Sequence, residues 1–175
     1  VISFSLIFVL MAAYYMLRPV RDAMASDWSN TEISVLWNIQ FFLSLTVVAI
    51  YGAAVSKIKF RYLVPTVYGF FALSFVSFHF GSALVADQVL LDKGFYLWLS
   101  LFSLFHVSVF WSLMADLYNQ EQCQRLFGFI AVGASAGAIV GPLVATVVAQ
   151  TIGSETLMLS ASLLLLIPLP IIGYL

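Results

Sequence analysis

Charge is what this sequence has least of. Only 9% of its residues are Asp, Glu, Lys or Arg, whereas soluble domains carry about a quarter. Hydrophobic residues make up 63% and the mean hydropathy is +1.06. A chain of 175 residues cannot hide that much apolar surface in a water-facing core, because small bodies have too much surface for their volume. Lipid must be the solvent for most of it, which excludes a soluble fold. The net charge of −1 and the lack of a basic patch exclude a nucleic-acid binder. The single cysteine, Cys123, excludes an internal disulfide and a multi-cysteine metal site. His79 and His106 stand in separate apolar runs without ligand spacing, so no metal centre is expected. Phosphate-loop, nucleophile-elbow and zinc-protease motifs are missing too, so neither an enzyme nor a cofactor is expected.

Long apolar runs are what the sequence does contain. A membrane-spanning helix needs roughly 20 apolar residues, and six runs approach that length: 1–17, 33–55, 62–84, 95–115, 126–149 and 156–175. They are continuous and do not alternate with period two, which selects helices over strands. Backbone polar groups in lipid must be satisfied within the segment, and a helix does this. The expected fold class is an all-α integral membrane protein, a six-transmembrane-helix bundle. The chain starts and stops inside apolar runs, so we expect a fragment, cut at both ends.

The charges fall in short islands between the runs. Ser56 to Arg61 is strongly basic, through Lys57, Lys59 and Arg61. The positive-inside rule puts this second loop in the cytoplasm. The third loop, with Asp87, Asp92 and Lys93, then lies outside, and the fourth, Asp116 to Arg125, lies inside. The first loop conflicts with this assignment, because Arg18 and Arg21 end up outside. A role other than topology would account for them.

Four constellations could carry function. Arg18 and Arg21, in Leu17-Arg18-Pro19-Val20-Arg21-Asp22, share a face if the helix continues past Pro19. Two guanidinium forks at a cavity mouth would suit a phosphate or carboxylate, and a solvated loop is the plainer reading. In the fifth run, Gly133, Gly137 and Gly141 recur every four residues, followed by Pro142. Such a stripe allows close helix packing, and in a moving protein it would be a rocking contact with a kink at the proline. Asp116 and Arg125, with Lys57 and Arg61 on the same side, could form a charge latch at a gate; exposed loop charges are the alternative. Glu121 and Arg125 have the spacing of a helical ion pair. Finally Asn38, Gln40, His79 and His106 are polar residues within the apolar runs. His106 sits mid-run and should face the bundle, either in a structural hydrogen bond or in contact with substrate or proton.

The glycine run ending in Gly141-Pro142 resembles the fifth-helix antiporter motif of the major facilitator superfamily. The basic loop from Gly52 to Arg61 lies where that superfamily keeps one, although it has Ser56-Lys57 in place of the usual Asp-Arg core. Leu17-Arg18-Pro19-Val20-Arg21-Asp22, Phe110-Trp111 with Asp116, and Arg125-Leu126-Phe127 resemble the nucleotide-transporter branch, the ATP/ADP-antiporter-like carriers of bacteria and plastids. The first and fourth runs both end in an aromatic pair followed by charge, on opposite sides of the membrane, as a three-plus-three inverted repeat would have it. The resemblance implies the N-terminal half of such a transporter, in the bacterial cytoplasmic membrane, working by alternating access against a second six-helix half. It implies that Tyr14, Arg18, Arg21, His106 and Trp111 line the substrate path, with Arg21 on an anionic substrate, a nucleotide being the leading case. A carrier of another organic anion or drug, and a membrane scaffold without transport, are the competing readings.

Overall fold

A computed structural model describes residues 1–82, 84–85, 87–152 and 156–174. Glu155 and Leu175, the latter at the end of the sixth run, lie outside the described residues. The fold is all-helical. Its elements are α1 (Ile2–Ala25), α2 (Asn30–Val55), α3 (Phe60–Ser82), α4 (Gln88–Leu117), α5 (Gln120–Thr151), α6 (Leu157–Leu166) and α7 (Pro168–Tyr174). The first five are long and apolar enough to cross a membrane.

Helix ends depart from the apolar runs where charge and proline mislead. Helix α1 does not stop at Arg18-Pro19 but continues to Ala25 with Pro19 inside it. A proline within a membrane helix is tolerated when neighbouring groups take over the freed carbonyl. Helix α4 starts at Gln88, well before Phe95, because Asp87 caps it by accepting from Leu90 N–H. Helix α5 starts at Gln120 behind a capping box of Asn119 and Gln122, so the expected loop from Asp116 to Arg125 shrinks to Tyr118-Asn119. A second capping box, Ser29 with Glu32, opens α2. Each box satisfies backbone donors that the first helical turn leaves free.

The sixth run is not one spanning helix. It breaks at Ile167 into α6 and α7, of 10 and 7 residues. Pro168 cannot donate to the preceding turn and disfavours helical geometry at the residue before it.

Neighbouring helices alternate in direction. At one end Ser3 Oγ lies 2.9 Å from Tyr118 Oη, and towards the other Arg21 Nη1 reaches Ser100 Oγ at 3.4 Å, so α1 and α4 are antiparallel. Helices α3 and α4 are antiparallel as well, with Tyr68 Oη donating to His106 O at 2.8 Å and Trp98 Nε1 to Ser74 Oγ at 2.6 Å. Helices α2 and α4 are parallel, tied by Glu32–Lys93, Trp37–Tyr96 and Tyr51–Phe105. The core lies between α1, α3, α4 and α6 and is strongly aromatic, with Tyr68, Phe75, Phe95, Phe102 and Phe110 fully buried.

The glycine stripe brings the backbones of α1 and α5 into close contact. A Cβ at Gly133 would stand 2.9 Å from Phe4 O, and one at Gly141 2.7 Å from Ala12 O. At Gly137 it would collide with Phe8 O. These positions run up α5 as their partners run up α1, so the two helices are parallel and their backbones touch. Pro142 sits inside α5 without ending it.

Candidate functional site

Helix α1 and helix α4 face each other with polar stripes. Tyr14, Arg18 and Arg21 are spaced by four and three, which aligns them on one face of α1. On α4, Tyr96, Ser100, Ser103 and His106 follow with spacings of four, three and three. Because the helices run antiparallel, Tyr14 meets His106 and Arg21 meets Ser100 and Tyr96.

At the inner end of these stripes His106 is buried, 2% exposed. Its ring lies against both Tyr14, at 4.7 Å and 27°, and Phe102, at 5.2 Å and 28°, which are themselves 6.4 Å apart. Nδ1 lies 3.2 Å from Phe102 O, which assigns the proton to Nδ1. Nε2 is then an acceptor, and it meets no donor among the described residues.

At the outer end one carboxylate serves two arginines. Asp22 takes Arg21 at 2.7 and 3.0 Å and Arg18 at 3.6 Å. Arg21 also donates to Ser100 and lies over the Tyr96 ring, 5.4 Å from its centre. Its side chain is 16% exposed, against 46% for Arg18. Ser100 is seven residues past Lys93, so Arg21 is drawn about 10 Å inward along α4 from the last charged level. Arginine at such depth is costly in lipid and normally faces protein or a water-filled cavity.

Tyr96 organises what surrounds Arg21. Trp28 packs edge-on against it at 5.5 Å, and Trp37 Nε1 donates to its hydroxyl at 3.1 Å. Lys93, one turn away, pairs with Glu32 at 2.8 Å and lies 5.9 Å from the Trp28 ring centre. None of Trp28, Trp37, Tyr96 or Ser100 stands out in the sequence reading, because aromatic residues near helix ends also serve as ordinary interfacial anchors. The spacing of Tyr96, Ser100, Ser103 and His106 is the signal that could have found two of them.

Other expected residues lie apart from this site. Trp111 stacks on Phe127 at 4.4 Å and 11°, towards the opposite end of α4. Asp116 is in the last turn of α4, and Arg125 is inside α5. Neither they nor Glu121 enter the ion pairs among the described residues, which join Asp22 to Arg18 and Arg21, and Glu32 to Lys93. The expected latch, Asp116–Arg125, and the expected Glu121–Arg125 pair are thus not among the ion pairs of the described residues. Lys57 and Arg61 are exposed, Arg61 in the first turn of α3. Asn38 and Gln40 make bonds within α2, to Ser34 O and Ser44 Oγ.

The antiparallel arrangement also resolves the charge conflict of the first loop. Arg18, Arg21 and Lys93 share their end of the bundle with Asp22, Asp27, Glu32, Asp87 and Asp92. The other end carries Lys57, Lys59, Arg61 and Arg125 against only Asp116 and Glu121. That end is the more basic, whatever role the two arginines have.

All of this has the build of a multi-pass, all-helical membrane protein. No family model matches the chain, and neither a curated protein nor a solved structure matches it.

Proposed function

We propose that the chain is the N-terminal half of a major-facilitator-type secondary transporter, built as a three-plus-three inverted repeat in a bacterial cytoplasmic membrane. It works by alternating access against a second half and exchanges nucleotides or other organic phosphates. The observation that carries this reading is the imbalance at the outer end of the α1–α4 stripes. Arg18 and Arg21 share the one carboxylate of Asp22, so a positive charge is left over in a partly buried place. A phosphate could replace Asp22 on both guanidinium forks with charge-assisted, bidentate hydrogen bonds. The antiparallel contact of α1 with α4 and the parallel seam of α1 with α5 fit the helix directions of such a half. The basic end with Lys57, Lys59 and Arg61 then faces the cytoplasm.

Trp28, Trp37 and Tyr96 beside Arg21 favour a second reading, a carrier of aromatic organic anions or drugs. Uptake of labelled nucleotide by cells expressing the full-length protein separates the two. Saturable uptake, abolished by Arg21→Ala and partly kept by Arg21→Lys, is expected. A well-inserted wild type that takes up no nucleotide would sink the nucleotide reading.

A further inference from the structure

A groove of about 430 Å³ opens between α2, α3 and α4, well away from Arg21. Its walls include Tyr51 and Ala54 of α2, Tyr62 and Phe70 of α3 and Trp98 of α4, with Ile58 of the α2–α3 turn at its mouth. They are apolar almost throughout. The hydroxyl of Thr66 is already bonded to Tyr62 O at 2.8 Å, and Trp98 Nε1 is bonded to Ser74. The hydroxyl of Tyr51 is buried without a hydrogen-bond partner among the described residues, and it is not exposed to the groove.

The dimensions match one leaflet. From Ile58 to Phe70 the groove follows twelve residues, mostly in the first turns of α3. At 1.5 Å per residue that is about 18 Å, close to half of a hydrocarbon core roughly 30 Å thick. The groove thus has about the length of one leaflet of hydrocarbon, with the charged α2–α3 turn at one end.

Its mouth is positively charged. Lys57 and Lys59 flank Ile58, both exposed, and neither enters an ion pair among the described residues. Arg61 stands beside Tyr62 on the same rim. We infer that the groove holds an acyl chain of one anionic phospholipid, whose headgroup phosphate sits on Lys57 and Lys59. Basic rims at this level bind acidic headgroups, each lysine contributing about fivefold in affinity. A second copy of the chain fits less well: it would bring further lysines to the same rim, and the groove is walled by large side chains where close helix association favours small ones.

The test uses the full-length protein in phosphatidylcholine vesicles containing a minor share of phosphatidylglycerol. One lipid at a time carries brominated acyl chains, which quench nearby tryptophan fluorescence. The quenching lost in Trp98→Phe gives the contribution of Trp98, which also borders a second groove with Ser74 and Phe78, and the dependence on Lys57 and Lys59 assigns the signal to this one. Brominated phosphatidylglycerol should associate at least about tenfold more strongly than brominated phosphatidylcholine. Lys57→Ala with Lys59→Ala should remove most of that preference, while Lys57→Arg with Lys59→Arg keeps it. High salt should weaken it in the unmodified protein, a readout that needs no variant. Equal quenching by the two lipids would overturn the inference, leaving only ordinary solvating lipid. A preference untouched by both the alanine pair and salt would overturn it as well.

Discussion

Helices α1 and α2 lie next to each other in sequence and are treated oppositely by the fold. Half of the α1 span is buried inside the protein, but only 6% of the α2 span, although α2 is the more apolar of the two. Eight residues of α1 are buried, and among those of α2 only Leu36. In lipid, then, greater hydropathy does not mean greater burial. The buried face of α1 combines large apolar residues such as Leu6, Leu10 and Leu17 with the small Ser3, Ala12 and Ala13. The two helices also differ in how they are held. Helix α1 touches the backbone of α5 along three glycines. Helix α2 is tied to α4 by an ion pair, an indole hydrogen bond and an aromatic edge, set at intervals along its length. A seam of the first kind resists sliding, and links of the second kind allow it.

The largest test of that difference is glycine substitution. Gly137→Leu should abolish folding, because even a Cβ there strikes Phe8 O. Gly137→Ala should cost about 1–3 kcal/mol as overpacking. Gly52, in α2, has nothing within 4 Å of its would-be Cβ. Gly52→Ala should be neutral, or stabilising by up to about 1 kcal/mol from helix propensity. Thermal unfolding in detergent compares the variants directly, and equal losses for the two alanine variants would erase the distinction between seam and link.

A smaller effect is expected at Asp22, the carboxylate that α1 supplies to its own arginines. Asp22→Asn should change stability by less than about 1 kcal/mol, since the side chain is half exposed. It should tighten the apparent affinity for an anionic substrate by up to about tenfold, because the anion no longer displaces a bound carboxylate. The concentration dependence of uptake measures this. A weakened affinity would mean that Asp22 positions the arginines and does not compete for them.

Much of the fold was legible in the sequence because lipid imposes a simple rule of long apolar helices. Its errors sit where a second rule competes. Arg18-Pro19 reads as a helix end, yet α1 continues, since Asp22, Ser100 and Tyr96 receive the arginines. Asp92-Lys93 reads as a loop, yet it lies inside α4, where Lys93 finds Glu32. Pro168 and Pro170 were there to be read, and Pro168 marks the break of the sixth segment. The glycine spacing foretold close packing but not the partner. In the candidate site, Arg21, Tyr14 and His106 were named beforehand. Their grouping with Tyr96 and Ser100 depends on the register of α1 against α4, which no local pattern encodes. Trp111 was named with them, but its ring belongs to the α4–α5 contact.

The smallest expected effect comes from loosening α2 at one link. Lys93→Ala removes the ion pair to Glu32, both side chains being partly exposed. Such a pair contributes at most about 1 kcal/mol, and the capping box of Ser29 and Glu32 remains to hold the start of α2. Global stability should therefore barely change. Local opening is another matter, because it reports the stability of each segment separately. Amide hydrogen exchange should quicken in the first turns of α2 and stay unchanged along α1 beside Gly133 and Gly137. If exchange quickened equally in both helices, α2 would have to be coupled to the core as firmly as α1, and the picture of a seam beside a set of loose links would fail.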